Sequence, residues 1–434
     1  MKLLNISALS SNSGKTVTTS IILRLFRKSG YDITGFKGGG DFIDSQLLSI
    51  ASESPKRNID LFLMGEKGVN RRIAISKEEY GIVEGMMGYF DGIGITKKTS
   101  TYEIAKFLDI NTILVYNPKG EMYSIIPKLR GFIEESKGRI KGIIFSKIKP
   151  QIYQMLKTMV EENLSIKVLG FLENYDDLVL PSEKLGLSID SEKFTSSLDK
   201  ILDRARETLD LDSIANLFVE RNIINDLKDF DYRAKMGIVY DESMNFLYAE
   251  NKFLFEKYFD VHYISPLRDK SIGDVEFLYI AGGYPEKYLE QLSLNKSLLK
   301  EIKDFSERGG LIYSENPIYL SKAMDFFPLV SIFDFETTMT ERLQNFGLYY
   351  LKPIEDGEIF KEGMKIPVHE FHYSKETKDI EKYFILEKAS NGKTRMASYR
   401  YKNTYLLYQH INFIGNLELL ENIVNFLKER EKCI

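Results

Sequence analysis

The chain has 434 residues, too long for one ordinary core, so two domains are expected. With 59 basic against 63 acidic residues and a net charge of −4 it carries no overall pull toward nucleic acid, and its apolar runs are too short to span a membrane as a helix. Cys433 is the only cysteine, which excludes an intramolecular disulfide and a Cys-based zinc site; with no signal-peptide pattern before the first strand, the expected compartment is the cytoplasm.

An apolar strand over residues 3–9 leads into Ser10-Ser11-Asn12-Ser13-Gly14-Lys15-Thr16, and an amphipathic helix follows over about residues 17–28. Strand, tight loop, Gly-Lys-Thr and helix is the layout of a phosphate-binding loop. Backbone N–H groups and the positive helix N-terminus cradle phosphate, Lys15 reaches the outer phosphates and the Thr16 hydroxyl holds Mg²⁺. Nucleotide contacts are expected from Asn12, Ser13, Gly14, Lys15, Thr16 and Val17. The full pattern wants a glycine where this chain has Leu9, and the competing reading is an ordinary strand-to-helix turn with a solvated lysine.

A second strand over residues 32–36 ends in Lys37-Gly38-Gly39-Gly40-Asp41-Phe42-Ile43-Asp44. Glycines let backbone approach a ligand closely, and two carboxylates follow at the C-terminal end of a strand, where open α/β sheets bind ligands. The alternative is a flexible turn with two solvated aspartates. The polar run Lys56-Arg57-Asn58-Ile59-Asp60, taken alone, reads as a solvated helix start. A strand over residues 80–84 then ends in Glu84, before the glycine-rich Gly85-Met86-Met87-Gly88-Tyr89-Phe90-Asp91-Gly92. A carboxylate there suits a Mg²⁺ ligand, directly or through water.

Further strands are expected over residues 112–116 and 142–145, separated by helices over 101–108, 123–136 and 152–162. This alternation predicts a mostly parallel sheet covered on both faces. Residues 191–231 change character, with phased apolar residues over 198–209 and 214–223 suggesting helices and no strand. A second α/β series begins at residue 235, with strands at 275–281 and 309–313 that run into Gly282-Gly283-Tyr284-Pro285-Glu286 and Ser314-Glu315-Asn316-Pro317. All four histidines (His262, His369, His372 and His410) lie in this second half. Chemistry in the first half therefore runs on carboxylates, lysine, hydroxyls and metal, as phosphoryl transfer does.

Several of these segments, in order along nearly the whole chain, resemble the cobyrinate a,c-diamide synthases. They are Ser-Gly-Lys-Thr at 13–16, Phe-Lys-Gly-Gly-Gly-Asp-Phe-Ile-Asp at 36–44, Arg57 to Asp60, Glu-Gly-Met-Met-Gly-Tyr-Phe-Asp-Gly at 84–92, and Leu180-Pro181-Ser182 with Leu185-Gly186-Leu187. The second half adds Tyr248-Ala249-Glu250-Asn251, Ser265 to Asp269, Gly282 to Glu286 and His369 to Ser374. The resemblance implies an α/β chain of two domains. One is an N-terminal dethiobiotin-synthetase-like P-loop domain, a parallel sheet with helices on both faces, over 1–205. The other is a C-terminal flavodoxin-like, class I glutaminase-like α/β domain over 234–434, with a helical linker at 206–233 between them.

The same resemblance implies a carbon–nitrogen ligase of cobalamin biosynthesis. ATP phosphorylates a tetrapyrrole carboxylate on its a or c side chain, and ammonia converts the acyl phosphate to an amide. It gives Lys15 the transferring phosphoryl group, and Thr16, Asp41 and Glu84 the Mg²⁺ shell. Asp44 and Asp91 would position substrate or complete the second ligand sphere.

The chain departs from the family at several places. Asn12 stands where relatives tend to have glycine, Lys184 replaces an expected histidine, and Ser146 replaces an asparagine expected to recognise the adenine. The gravest change is at the glutaminase elbow, where relatives read roughly Tyr-Ala-Glu-Cys-Gly-Gly and this chain has Asn316 at the nucleophile position. An amide nitrogen is no nucleophile, and Pro317 lacks the N–H expected at an oxyanion hole. The glutaminase is expected to be inactive, with His410, Gly282 and Gly283 left as parts of a degenerate site and His410 packed or hydrogen-bonded. Ammonia, free or from a separate glutaminase, is then the expected donor. The competing readings are another tetrapyrrole acid such as nickel-sirohydrochlorin, and a non-catalytic nucleotide and tetrapyrrole carrier. By fold analogy a homodimer is possible.

Overall fold

The computed structural model describes residues 1–40, 42–175, 178 and 190–432, with the backbone alone for Phe42 and Ile43. Asp41, Lys184, Cys433 and the segments Leu180 to Ser182 and Leu185 to Leu187 lie outside the described residues. The chain divides into two compact units, Met1–Leu61 with Gly65–Asp226 and Phe62–Met64 with Leu227–Ile434.

The first unit runs β1 (Lys2–Ala8), α1 (Lys15–Lys28), β2 (Ile33–Gly38), α2 (Phe42–Ser52), β3 (Asn58–Ile59), α3 (Gly65–Ala74), β4 (Tyr80–Glu84) and α4 (Thr101–Phe107). It continues with β5 (Thr112–Tyr116), α5 (Ile125–Glu135), β6 (Ile140–Phe145), α6 (Pro150–Leu164), β7 (Lys167–Phe171), α7 (Ser191–Thr208), α8 (Leu211–Ala215) and β8 (Val219–Glu220). Strand order is β3-β2-β4-β1-β5-β6-β7, all parallel. The order reverses at β1, and such a switch point opens a crevice at the strands' carboxyl ends. Right-handed crossovers place α1 and α2 on the face opposite α5 and α6. Ile6, Ile82, Ile113, Val115 and Ile144 of the sheet form one fully buried cluster with Ile22 and Phe26 of α1 and Leu47 and Leu48 of α2.

Two expectations fail in this unit. Arg57 to Asp60 is a buried strand entry and not a solvated helix start. Arg57 ion-pairs with Glu78 and donates to Thr34 Oγ1, while Asn58 Nδ2 donates to the Gly39 carbonyl at 2.9 Å, so the polar side chains are spent inside the fold. Residues 191–231 do contain a strand. The helix expected over 214–223 stops at Ala215, and Val219 and Glu220 pair antiparallel with Leu3 and Lys2, on the side of β1 that β5 joins only from Asn5. Phe194, Leu198, Leu202 and Ala205 of α7 are buried in the cluster of the first unit.

The second unit begins β9 (Lys235–Val239), α9 (Ala249–Tyr258), β10 (Asp260–Ile264), β11 (Phe277–Ile280), α10 (Leu289–Leu294), α11 (Lys296–Glu307) and β12 (Leu311–Ser314). Its main sheet has the order β10-β9-β11-β12, then Thr404–Leu406 and the antiparallel Tyr399–Tyr401. An antiparallel sheet of five strands (Thr394–Ala397, Phe384–Lys388, Asn345–Pro353, Ile366–His372 and Gln409–Ile411) and a small sheet of four complete it. No helix among the described residues is long and apolar enough to cross a membrane.

Candidate active site

Residues 9–14 join β1 to α1 at the carboxyl edge of the sheet. Asn12 (φ 61°) and Gly14 (φ 85°) both take the left-handed conformation. Asparagine tolerates it better than most residues, which explains how the loop turns at position 12 without glycine. Thr18 locks the first turn, its N–H and Oγ1 both 2.9 Å from the Gly14 carbonyl. No side chain caps α1 and no acid sits in its first turn, so its N-terminal N–H groups and dipole are left for an anion. Val17 lies in that turn and packs against the core cluster.

Lys15 folds back over the loop, its Nζ donating to the carbonyl oxygens of Ser10, at 3.1 Å, and of Met87. Burial, together with the nearby Lys37 charge, lowers its pKa to about 8, against the pull of Glu84, Asp44 and Asp91. Asp91 is tied into its own glycine-rich loop, with Oδ2 accepting from the Gly88 N–H at 2.9 Å.

Glu84 closes the cluster. It ends β4 with no solvent exposure and receives Thr16 Oγ1 at 2.7 Å and Lys37 Nζ at 2.8 Å on Oε1. Lys37 and Glu84 are register partners on neighbouring strands, and Lys37 Nζ also meets Asp44 Oδ2 at 2.6 Å, from the first turn of α2. Burial opposes the Lys37 charge, yet Glu84 and Asp44 outweigh it and hold the amine above the usual lysine range. Burial pushes the Glu84 carboxyl up, against Lys37 and Thr16.

Glu84 Oε2 is buried without a hydrogen-bond partner. A buried carboxylate oxygen left without a donor, beside a threonine hydroxyl, is a hard-oxygen pair that Mg²⁺ suits. That ion typically takes one or two protein carboxylates and completes its shell with water and phosphate oxygens. The described residues hold no group of three carboxylates or histidines that would cage a metal by themselves. The donor set therefore fits a Mg²⁺ shared with a nucleotide.

Sequence reasoning missed Lys37 as a site residue. A lysine one residue from a strand end reads as a solvated tip. The sequence carries no local signal for it, because the partner Glu84 is set by the register of β2 against β4.

At the second unit's elbow, Asn316 has φ −134° and ψ 85° and caps the short helix Pro317–Leu320. Its Oδ1 accepts from the Tyr319 N–H at 3.2 Å and its Nδ2 donates to the Ala281 carbonyl at 3.4 Å. A nucleophile elbow holds its residue in a strained turn that thrusts the side chain outward. Here the side chain is 97% buried and spent on the backbone. His410 Nδ1 lies 2.7 Å from Glu315 Oε2, and Glu315 Oε1 accepts from Tyr313 OH and the Ile411 N–H. The His410 ring lies against Gly282, where a Cβ would come within 2.7 Å of its Cε1; a Cβ on Gly283 would meet the Met244 backbone at 2.6 Å. His369 pairs with His410 in the five-stranded sheet and is held near pKa 4 by burial and by His410. His372 lies 2.9 Å from the buried Glu370, which Arg395 also grips, and stacks on Tyr408.

Residues 4–187 match the CobQ/CobB/MinD/ParA nucleotide binding domain, and residues 235–418 match the CobB/CobQ-like glutamine amidotransferase domain. The chain is 36% identical to a cobyrinate a,c-diamide synthase of Clostridium tetani, over 98% of this chain and all of that protein. It is 34% identical to one from Clostridium acetobutylicum with the same coverage, and 33% identical to one from Methanocaldococcus jannaschii over 86% of this chain and 87% of that protein. Among solved structures, the MinC:MinD cell division protein complex of Aquifex aeolicus is a remote likeness (14% identity, TM-score 0.34, 51% of this chain and 98% of that one).

Proposed function

Because this chain belongs to the cobyrinate a,c-diamide synthase family of amide-forming ligases, we propose that it amidates tetrapyrrole side-chain carboxylates with ATP and Mg²⁺, taking cobyrinate to its a,c-diamide with ammonia as the direct donor. The observation that carries this reading is the convergence of Thr16, Lys37 and, through Lys37, Asp44 on the buried Glu84 beside the phosphate loop.

The residues divide the work by charge. A carboxylate oxygen of the substrate attacks the γ-phosphorus and ADP leaves; the ammonia lone pair then attacks the acyl carbon, the acyl C–O bond breaks, and the proton lost from nitrogen goes to the departing phosphate. Negative charge spreads over the phosphoryl oxygens in the first step. Lys15, swung off the Ser10 and Met87 carbonyls, neutralises part of it. Thr16 and Glu84 hold Mg²⁺, with Asp41 as a third candidate, and Mg²⁺ bound there supplies further charge neutralisation. Lys37 keeps Glu84 and Asp44 from repelling the nucleotide. Asp91 holds the 85–92 loop beside Lys15, and Asp44 positions the substrate side of the site.

Asn316 supports ammonia over glutamine, since a buried amide that caps a helix offers no attacking sulfur. Ammonia then arrives free or from a separate glutaminase.

Lys15→Ala separates a ligase from a carrier. Turnover, read as amide product by mass spectrometry, should fall by about 100-fold or more, while tetrapyrrole binding followed by absorbance persists. Unchanged turnover would overturn the assignment of the site.

A further inference from the structure

The residues that follow β6 reach back to the phosphate loop. Ser146 Oγ donates to the Ser13 carbonyl at 2.6 Å, and Lys147 Nζ donates to the Asn12 carbonyl at 3.2 Å. Ser146 also packs against the loop's glycine: a Cβ on Gly14 would stand 3.4 Å from Ser146 Cβ and 3.8 Å from Lys147 Cε. Consecutive residues leaving a strand normally point to opposite faces. Lys147 is left-handed at φ 57°, an uncommon conformation for lysine, and the two side chains between them reach Asn12, Ser13 and Gly14.

The consequence follows from the planarity of the peptide bond. In a trans peptide the C=O and the following N–H point in opposite directions. Holding the Ser13 carbonyl toward Ser146 turns the Gly14 N–H the other way, and holding the Asn12 carbonyl toward Lys147 does the same for the Ser13 N–H. A loop with Leu9 and Asn12 at positions where glycines are usual has a less pliable backbone, and the brace fixes the orientation of two of its donors. The Ser146 hydroxyl has one proton, and that proton is given to the loop.

We propose that Ser146 and Lys147 are positioning residues for the nucleotide phosphates, aiming the Ser13 and Gly14 N–H groups, and that Ser146 does not read the base. The inference rests on the nucleotide reading of the loop. It gives the β6 end a task other than recognition of adenine.

The test is titration calorimetry of the full chain with Mg²⁺ and, in turn, ADP, GDP and inorganic tripolyphosphate. Binding of ADP to the unaltered protein tests the nucleotide reading itself, and its absence would remove this inference with it. Given that binding, Ser146→Ala should weaken all three probes by a common factor, about fivefold for one lost hydrogen bond. Lys147→Met, at an exposed position that tolerates the change, should weaken all three by about twofold, and Ser146→Thr, which keeps the hydroxyl, should restore affinity. Weakened ADP with unchanged tripolyphosphate would show that Ser146 reads the base, and no weakening in either variant would show that the brace is idle. Both results overturn the proposal.

Discussion

Lys15 is 8% exposed, folded onto two carbonyls, with its amine lowered to about pKa 8 by burial and by Lys37. Phosphate binds the protonated amine, so binding raises this pKa and takes up a proton wherever the free amine has lost one. The sign is therefore fixed: nucleotide affinity should be flat below pH 8 and fall above it, by at most about tenfold per pH unit. Titration of ADP from pH 7 to 9.5 reads this directly, and the slope should vanish in Lys15→Ala. An affinity that rises above pH 8 would contradict the charge arrangement. Candidate site residues were legible in the sequence where chemistry and a glycine motif coincided, as at Lys15, Thr16 and Glu84, and the structure brings Thr16 and Glu84 to 2.7 Å. Lys37 was not, because its role comes from the register of β2 against β4, and no local pattern records which strands are neighbours.

The elbow after β12 differs from a nucleophile elbow in its backbone as well as in its side chain. Asn316 is relaxed at φ −134°, and its side chain caps the helix that Pro317 begins. Restoring the thiol alone leaves that backbone in place and leaves no N–H at position 317 for an oxyanion. Asn316→Cys should therefore release less than about 1% of the glutamate that an intact class I glutaminase releases, since losing oxyanion donors alone costs about 100-fold or more. A glutamate-release assay checks this; full activity from the single change would mean that the turn reforms freely. The sequence carries this expectation in the residue types at 316 and 317. It did not announce β8, whose two residues are too few for any alternation, nor the burial of Arg57 and Asn58, whose polarity reads as surface until their partners Glu78 and Gly39 are placed. The antiparallel strands between residues 345 and 411 were likewise unread, since their pairing is with one another across long loops.

At the scale of the whole molecule, one unit carries a phosphate loop with a charged cluster at the sheet edge, and the other carries a glutaminase-like sheet with Asn316 at the elbow after β12. The parallel pairing of β1 to β7 follows from alternating strands and helices that the sequence displays, the order β3-β2-β4-β1-β5-β6-β7 is seen only in the fold, and the family follows from motifs spread along the chain. The donor is the central claim, because it separates this chain from a glutamine-dependent ligase. The most direct measurement is mass spectrometry of cobyrinate incubated with the full chain, ATP and Mg²⁺, with ammonium or with ammonia-free glutamine as the only nitrogen source. The account predicts mass loss of one or two carboxylate-to-amide exchanges with ammonium and none with glutamine. Equal amidation from glutamine would contradict it.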